Sequence, residues 1–249
     1  MIAAGRDTPP AIEARGLSKR YGPLAAIDGI DLTVPVGQWV VVLGHNGAGK
    51  STLLRMLATL LHPTGGNLRL FGAEAGRSDA APLRRRIGFL SHQTFLYGHL
   101  TARENLEFYA RLYGLADPEG AALEAIGAAR LSHRQDDRVA TYSRGMQQRL
   151  AIARALLHRP DLILLDEPFT GLDRESSSRL EDRLRQARGT GCTCVMATHD
   201  QGQGLRAADR VLGLSDGRLT LDAPSRGLDP SRLDDLLHGS SPAPPPRAS

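Results

Sequence analysis

Residues 44–52 read Gly-His-Asn-Gly-Ala-Gly-Lys-Ser-Thr. The spacing G-x-x-x-x-G-K-S sets Gly44, Gly49, Lys50 and Ser51 where backbone N–H groups can wrap a phosphate. His45, Asn46, Gly47 and Ala48 form the body of that loop, and Thr52 follows it. A lysine at this place can bridge the β- and γ-phosphates of a nucleotide, and the serine hydroxyl can ligate Mg²⁺. The chain has only two lysines, Lys19 and Lys50, among 31 basic residues. Where a chain built on arginine keeps a lysine, a compact ammonium is needed that a planar guanidinium does not replace. A plain Gly-rich turn is the bland alternative. The apolar strand read before the loop (39–43) and the helix read after it (50–61) argue against that.

Two acids, Asp166 and Glu167, close the apolar run DLILLDEP (161–168). At the C-terminal edge of a parallel strand, Asp166 fits the Mg²⁺ role and Glu167 the polarising of an attacking water. His199 closes the similar run CTCVMATHD (192–200), from which it could donate to a γ-phosphate. A third feature is the turn Tyr-Ser-Arg-Gly-Met (142–146), which opens a helix with Leu150, Ala153 and Leu157 on one face. Helix starts carry unpaired N–H groups and the positive end of the dipole, so they attract anions. The chain thus offers two candidate phosphate sites.

These groups need a parallel sheet to position them. Apolar runs separated by helical segments define an α/β class with a mainly parallel core. Residues 94–158 read as a helical insertion. Within it TARENLEFYARLYGL (101–115) begins with Thr101 and Glu104 at capping-box spacing, and Leu106, Tyr109 and Leu112 or Tyr113 form a stripe. The early segment, about 12–37, alternates and carries turn residues, which predicts antiparallel strands. Residues 1–11 are expected to be a flexible start, 12–225 the folded domain, and 226–249, rich in Pro, Ser and Ala, a largely disordered tail.

Composition narrows the function. The excess of 31 basic over 27 acidic residues is too small to point to nucleic acid, and Arg84, Arg85 and Arg86 read as a solvated surface. No stretch reaches the roughly 18 apolar residues of a membrane helix. Cys192 and Cys194 read as small buried hydrophobes on one sheet face, without partners at metal-ligand spacing.

Together these stretches resemble, over about residues 12–222, the ATP-binding subunit of ATP-binding cassette (ABC) transporters. The resemblance implies a P-loop NTPase fold with a RecA-like core, an antiparallel β subdomain and a helical subdomain. It also implies ATP and Mg²⁺ as cofactors. Tyr21 matches the aromatic that stacks on adenine. Gln93 matches a glutamine that contacts Mg²⁺ and the water, giving Ser51, Gln93 and Asp166 as the Mg²⁺ set and Glu167, His199 and Gln93 as the catalytic one. Asp173 matches the acid of a loop that crosses between subunits. Ser143, Arg144, Gly145 and Met146 match the signature turn, usually Leu-Ser-Gly-Gly-Gln, which contacts the partner subunit's ATP in a head-to-tail dimer. Tyr142, Arg144 and Met146 depart from that form. The implied partners are a membrane-spanning permease and a second ATPase subunit, in a homodimer or pseudo-symmetric dimer, with no nucleic acid. The implied place is the cytoplasmic face of a bacterial inner membrane. The Tyr-Ser-Arg-Gly-Met form is similar to the ATPase of haem exporters in cytochrome c maturation, with another drug or polysaccharide exporter as the alternative. A soluble relative acting on ribosomes fits less well, because there is a single cassette. A permease-docking surface is expected at residues 94–106, where Phe95, Leu96, Tyr97 and Leu100 cluster.

Overall fold

The computed structural model describes residues 8–75 and 80–228. In chain order the elements are β1 (Ile12–Tyr21), β2 (Leu24–Val34), β3 (Trp39–Leu43), α1 (Lys50–Leu57), β4 (Gly65–Leu70), β5 (Ala73–Glu74), α2 (Ala81–Arg84), β6 (Ile87–Leu90), α3 (Ala102–Tyr113), α4 (Pro118–Ala128), α5 (Arg144–Leu156), β7 (Leu162–Asp166), α6 (Arg174–Gly189), β8 (Thr193–Thr198), α7 (Gln201–Ala207), β9 (Arg210–Ser215) and β10 (Arg218–Pro224).

Every residue of β3, β6, β7 and β8 is buried, as expected of strands covered on both faces. They lie in one sheet of order β10-β9-β3-β8-β7-β6, where β9 through β6 run parallel and β10 returns as an antiparallel edge. The alternating early segment forms a second, antiparallel sheet of order β2-β1-β4-β5. Ile12, Leu17, Ile27 and Leu70 of that sheet share one core with Val42 and Leu164 of the other and with Leu53 and Leu57 of α1. Helices α3, α4 and α5 enclose a separate core around Leu106, Ile126, Leu150 and Ala153. Each such leucine contributes about 1.5–3 kcal/mol by leaving water. This is the α/β architecture with antiparallel and helical subdomains that the resemblance implies.

The capping box at Thr101 forms: its hydroxyl accepts from Glu104 N, and the Glu104 carboxylate accepts from Thr101 N. The stripe runs through Leu106, Tyr109 and the half-buried Tyr113, while Leu112 faces outward. Several boundaries move. Helix α1 ends at Leu57 rather than 61, because Thr59 takes a left-handed φ of 58° and Leu60 and Leu61 N–H both turn back to Arg55 O. The strands read at 161–168 and 192–200 shorten to β7 and β8. Ala11, expected in the flexible start, is fully buried, and its carbonyl accepts from Phe71 N. Residues 1–7, and the tail from 229 onward, lie outside the described residues. Cys192 and Cys194 are free thiols buried in the same core, in line with their reading as small hydrophobes.

Candidate nucleotide site

Because β3, β8, β7 and β6 are parallel neighbours, their C-terminal ends share one edge of the sheet. In register, Leu43 pairs with Thr198, Ala197 with Asp166, and Leu165 with Leu90. The Gly loop, His199, the two acids and Gln93 therefore emerge side by side, where ligands bind in open α/β sheets.

Two glycines of the loop answer to close approach. A Cβ on Gly44 would stand 2.2 Å from Leu214 O, and one on Gly49 2.4 Å from Ala26 O. Gly49 is also left-handed, with φ 107°, and forms the N-cap of α1. Lys50 is almost wholly buried, and its ammonium donates to Gly44 O at 2.6 Å and His45 O at 3.1 Å. Burial pulls that ammonium below the ordinary lysine value, while the Glu167 and Asp166 carboxylates oppose the shift. His45, Asn46 and Gly47 are exposed on the loop, and Ala48 is buried beneath it. Ser51 faces solvent at the head of α1, and Thr52 is half-buried.

Asp166 is buried, and burial raises its carboxyl above the usual range; a hydrogen bond with Ser51 works against that. A desolvated carboxylate beside a hydroxyl is a hard-oxygen donor pair of the kind Mg²⁺ takes. These residues therefore fit the ion that the sequence implies. Gln93 stands exposed at the same edge. Its backbone is held by the Ser91 hydroxyl, and its side chain makes no hydrogen bond among the described residues.

Glu167 takes a left-handed φ of 51°, rare for a non-glycine and a mark of strain stored at functional sites. The turn sets its carboxylate against the end of β8. His199 Nδ1 lies 2.9 Å from Glu167 Oε2, and the Thr198 hydroxyl donates to the same oxygen at 3.2 Å. Thr198 is a site residue that the sequence reading missed. The available signal was a hydroxyl at the last position of a buried strand, one step before the histidine.

The second phosphate candidate also forms. Ser143 is the N-cap of α5, and its hydroxyl accepts from Met146 N at 3.3 Å. Tyr142, in place of the usual leucine, is buried, and its hydroxyl donates to Arg134 O. Arg144 is exposed in the first turn, with Gly145 and Met146 half-buried behind it. The Arg144 guanidinium lies against Gly171, in the loop that follows Glu167. Gln148, a second missed residue, donates to Pro168 O and ties α5 to that loop. Asp173 is the N-cap of α6 and accepts from Ser176 N at 2.7 Å, which holds its carboxyl below the usual range. Tyr21 is half exposed at the end of β1, with the Lys19 ammonium 5.4 Å from its ring.

The fold and this edge together define a P-loop nucleotide-binding domain. Residues 27–170 match the family model described as ABC transporter. The chain belongs to that family, as the ATP-binding subunit. It is 40% identical to the daunorubicin/doxorubicin resistance ATP-binding protein DrrA of Streptomyces peucetius, over 91% of this chain and 69% of that protein. It is 36% identical to the Nod factor export ATP-binding protein I of Burkholderia orbicola, over 89% of this chain and 73% of that one. Among solved structures it is similar to a dimeric, post-hydrolysis ATP-binding cassette, MJ0796, bound to ADP and Pi. The TM-score there is 0.80 at 30% identity, covering 87% of this chain and all of that one. Importer subunits are also relatives, at 35% identity.

Proposed function

We propose that this chain hydrolyses ATP to ADP and phosphate and so drives an exporter whose membrane-spanning subunit is a separate chain. The observation that carries the reading is the Glu167 carboxylate, strained into place and held by His199 and Thr198 on the edge that also presents Lys50 and Asp166. Bound Mg²⁺, held by Ser51 and Asp166 with Gln93 beside it, would neutralise phosphate charge. The other roles belong to the protein. Lys50 and the loop N–H groups bind the β- and γ-phosphates. Tyr21 stacks on the adenine. Glu167 accepts a proton from the attacking water at a carboxylate oxygen, and His199 orients that carboxylate and donates toward the γ-phosphate. Ser143, Arg144, Gly145 and Met146 meet the γ-phosphate held by a second subunit, and the Asp173 loop crosses at the same interface.

Glu167→Gln tests both halves. The amide cannot take the proton, so turnover should fall about 10²–10⁴-fold while ATP still binds. The trapped chain should then dimerise with ATP and stay monomeric with ADP, as read by light scattering. Unchanged hydrolysis would remove Glu167 from the mechanism, and a dimer indifferent to nucleotide would remove the shared site.

The cargo we infer is haem for cytochrome c maturation, supported by the Tyr142–Met146 form of the signature turn. The Streptomyces relative favours a second reading, drug export. On the haem reading, a strain lacking the chain makes and exports apo-cytochrome c but no holo-cytochrome. Normal holo-cytochrome there would leave the drug reading standing. The place we infer is the cytoplasmic face of the bacterial inner membrane, through the permease. No helix among the described residues is long and apolar enough to cross a membrane by itself.

A further inference from the structure

Arg154, in the last turn of α5, is a charge out of place. It is 4% exposed, and no carboxylate pairs with it among the described residues. One guanidinium nitrogen donates to Phe89 O at 2.6 Å, and the Nε–H is buried without an acceptor. The rest of the guanidinium is met by aromatic faces, with Phe95 at 5.5 Å and Tyr109 at 5.2 Å from their ring centroids. Burial lowers its pKa, and the neighbouring Tyr113 and Tyr109 only partly compensate.

A buried cation without a counter-ion costs several kcal/mol relative to an apolar side chain of the same size. Stability alone therefore gives no reason for an arginine here. Its contacts suggest another reason. Phe89 is in β6, just before the loop that carries Gln93, and Phe95 is in that loop, two residues past Gln93. Phe95 is left-handed, with φ 55°, and its carbonyl accepts from the Tyr109 hydroxyl. Arg154 thus holds the chain on both sides of Gln93. It is carried by the helix whose opposite end is Ser143, about 16 Å away at the helical rise of ~1.5 Å per residue.

We propose that Arg154 is the positioning residue for Gln93, fixing the glutamine loop to α5 so that the loop and the signature turn move as one body. This rests on the ATPase reading above. Phe89 O fixes the strand just before Gln93, and the cation over the Phe95 ring fixes the loop just after it. Among the described residues, Gln93, between them, has only the Ser91 hydroxyl to hold its backbone. The guanidinium can make both contacts because its planar fork donates in-plane while its face stacks. A lysine ammonium cannot do both.

The test is a double-mutant cycle on the full chain, reading steady-state Mg²⁺-ATP hydrolysis and thermal unfolding together. Arg154→Met should lower kcat on the order of tenfold with KM for ATP within about twofold, since misplacing a positioned group by about 1 Å can cost about 10²-fold. In a Gln93→Ala background the same substitution should change kcat less than about twofold, because its effect runs through that side chain. Arg154→Lys should fall between wild type and Met; if Met does not fold, the lysine variant carries the cycle. Equal losses in both backgrounds, or a lower melting temperature with kcat unchanged, would show mere packing and overturn the proposal. So would wild-type turnover in Gln93→Ala, which leaves nothing to position. Hydrolysis surviving in Glu167→Gln would instead overturn the general-base reading and leave the cycle interpretable.

Discussion

Glu167, the base we propose, is held in place by few atoms. Its backbone is strained, and Thr198 at the end of β8 and His199 just past it hold a single oxygen. Thr198 does so from inside the core, where it is 3% exposed, and its hydroxyl also accepts from Asp200 N. Thr198→Val keeps the shape and removes both contacts. A net hydrogen bond contributes about 0.5–1.5 kcal/mol, so kcat should fall about two- to tenfold with KM for ATP little changed. Steady-state kinetics checks it, and an unchanged kcat would mean that His199 alone sets the carboxylate.

At the scale of elements, the junction of α3, α5 and β6 carries its own titration. His158, just past α5, stacks on Tyr113 with ring centroids 3.7 Å apart and contacts Ile87 O at 3.2 Å through Nε2. Its Nδ1 is buried without a partner, so the neutral ring donates from Nε2 and has no place for a second proton. Burial pushes the imidazole down to about 4, helped by the Arg154 charge and opposed by the Ile87 carbonyl and by Asp161. The unfolded histidine titrates near 6.5. Between those values the unfolded chain binds a proton that the native chain refuses, so stability present at pH 7 is lost as pH falls from about 6.5 toward 4. The loss attributable to this residue is about 2–3 kcal/mol at pH 4.5. His158→Gln keeps a donor for Ile87 O without the titration. Denaturant unfolding at pH 7 and 4.5 should show a smaller acid loss for the variant, and equal losses would place the acid sensitivity elsewhere.

At the scale of the molecule, the seam between the helical subdomain and the parallel sheet opens a cavity of about 370 Å³ on the surface, lined by Leu60, Arg84, Arg85, Phe95, Tyr109 and Leu112. The surface expected at residues 94–106 lies partly along this seam. Phe95 and Tyr97 are about two-fifths exposed, while Leu96 packs into both adjoining cores. Leu96 is thus a poor probe of docking, because a charge there would disrupt the fold. Tyr97→Asp is the better one. If the permease docks at this surface, the variant should leave the membrane fraction for the soluble one while basal ATPase stays near wild type. Retention on membranes would move the docking surface elsewhere.

Much of this was legible in the chain itself. A phosphate loop is a local object: its glycines, lysine and serine lie within nine residues, so spacing alone reveals it. The capping box at Thr101 and the buried strands are local too, since a side-chain period or an unbroken apolar run is written in consecutive residues. What only the tertiary structure decided was everything that depends on which strands are neighbours. The order β3-β8-β7-β6 sets Thr198 and His199 against Glu167 and puts Gln93 on the same edge, across separations of 31 residues and more. Boundaries such as the end of α1 at Leu57 depended on a left-handed residue, Thr59, that no propensity marks. Arg154 is the plainest case. In the sequence it is one more arginine on a helix, and only packing shows a buried cation closed over by a carbonyl and aromatic rings from other elements. Burial belongs to the whole fold, and the free energy of a charge depends on burial more than on its neighbours in the chain.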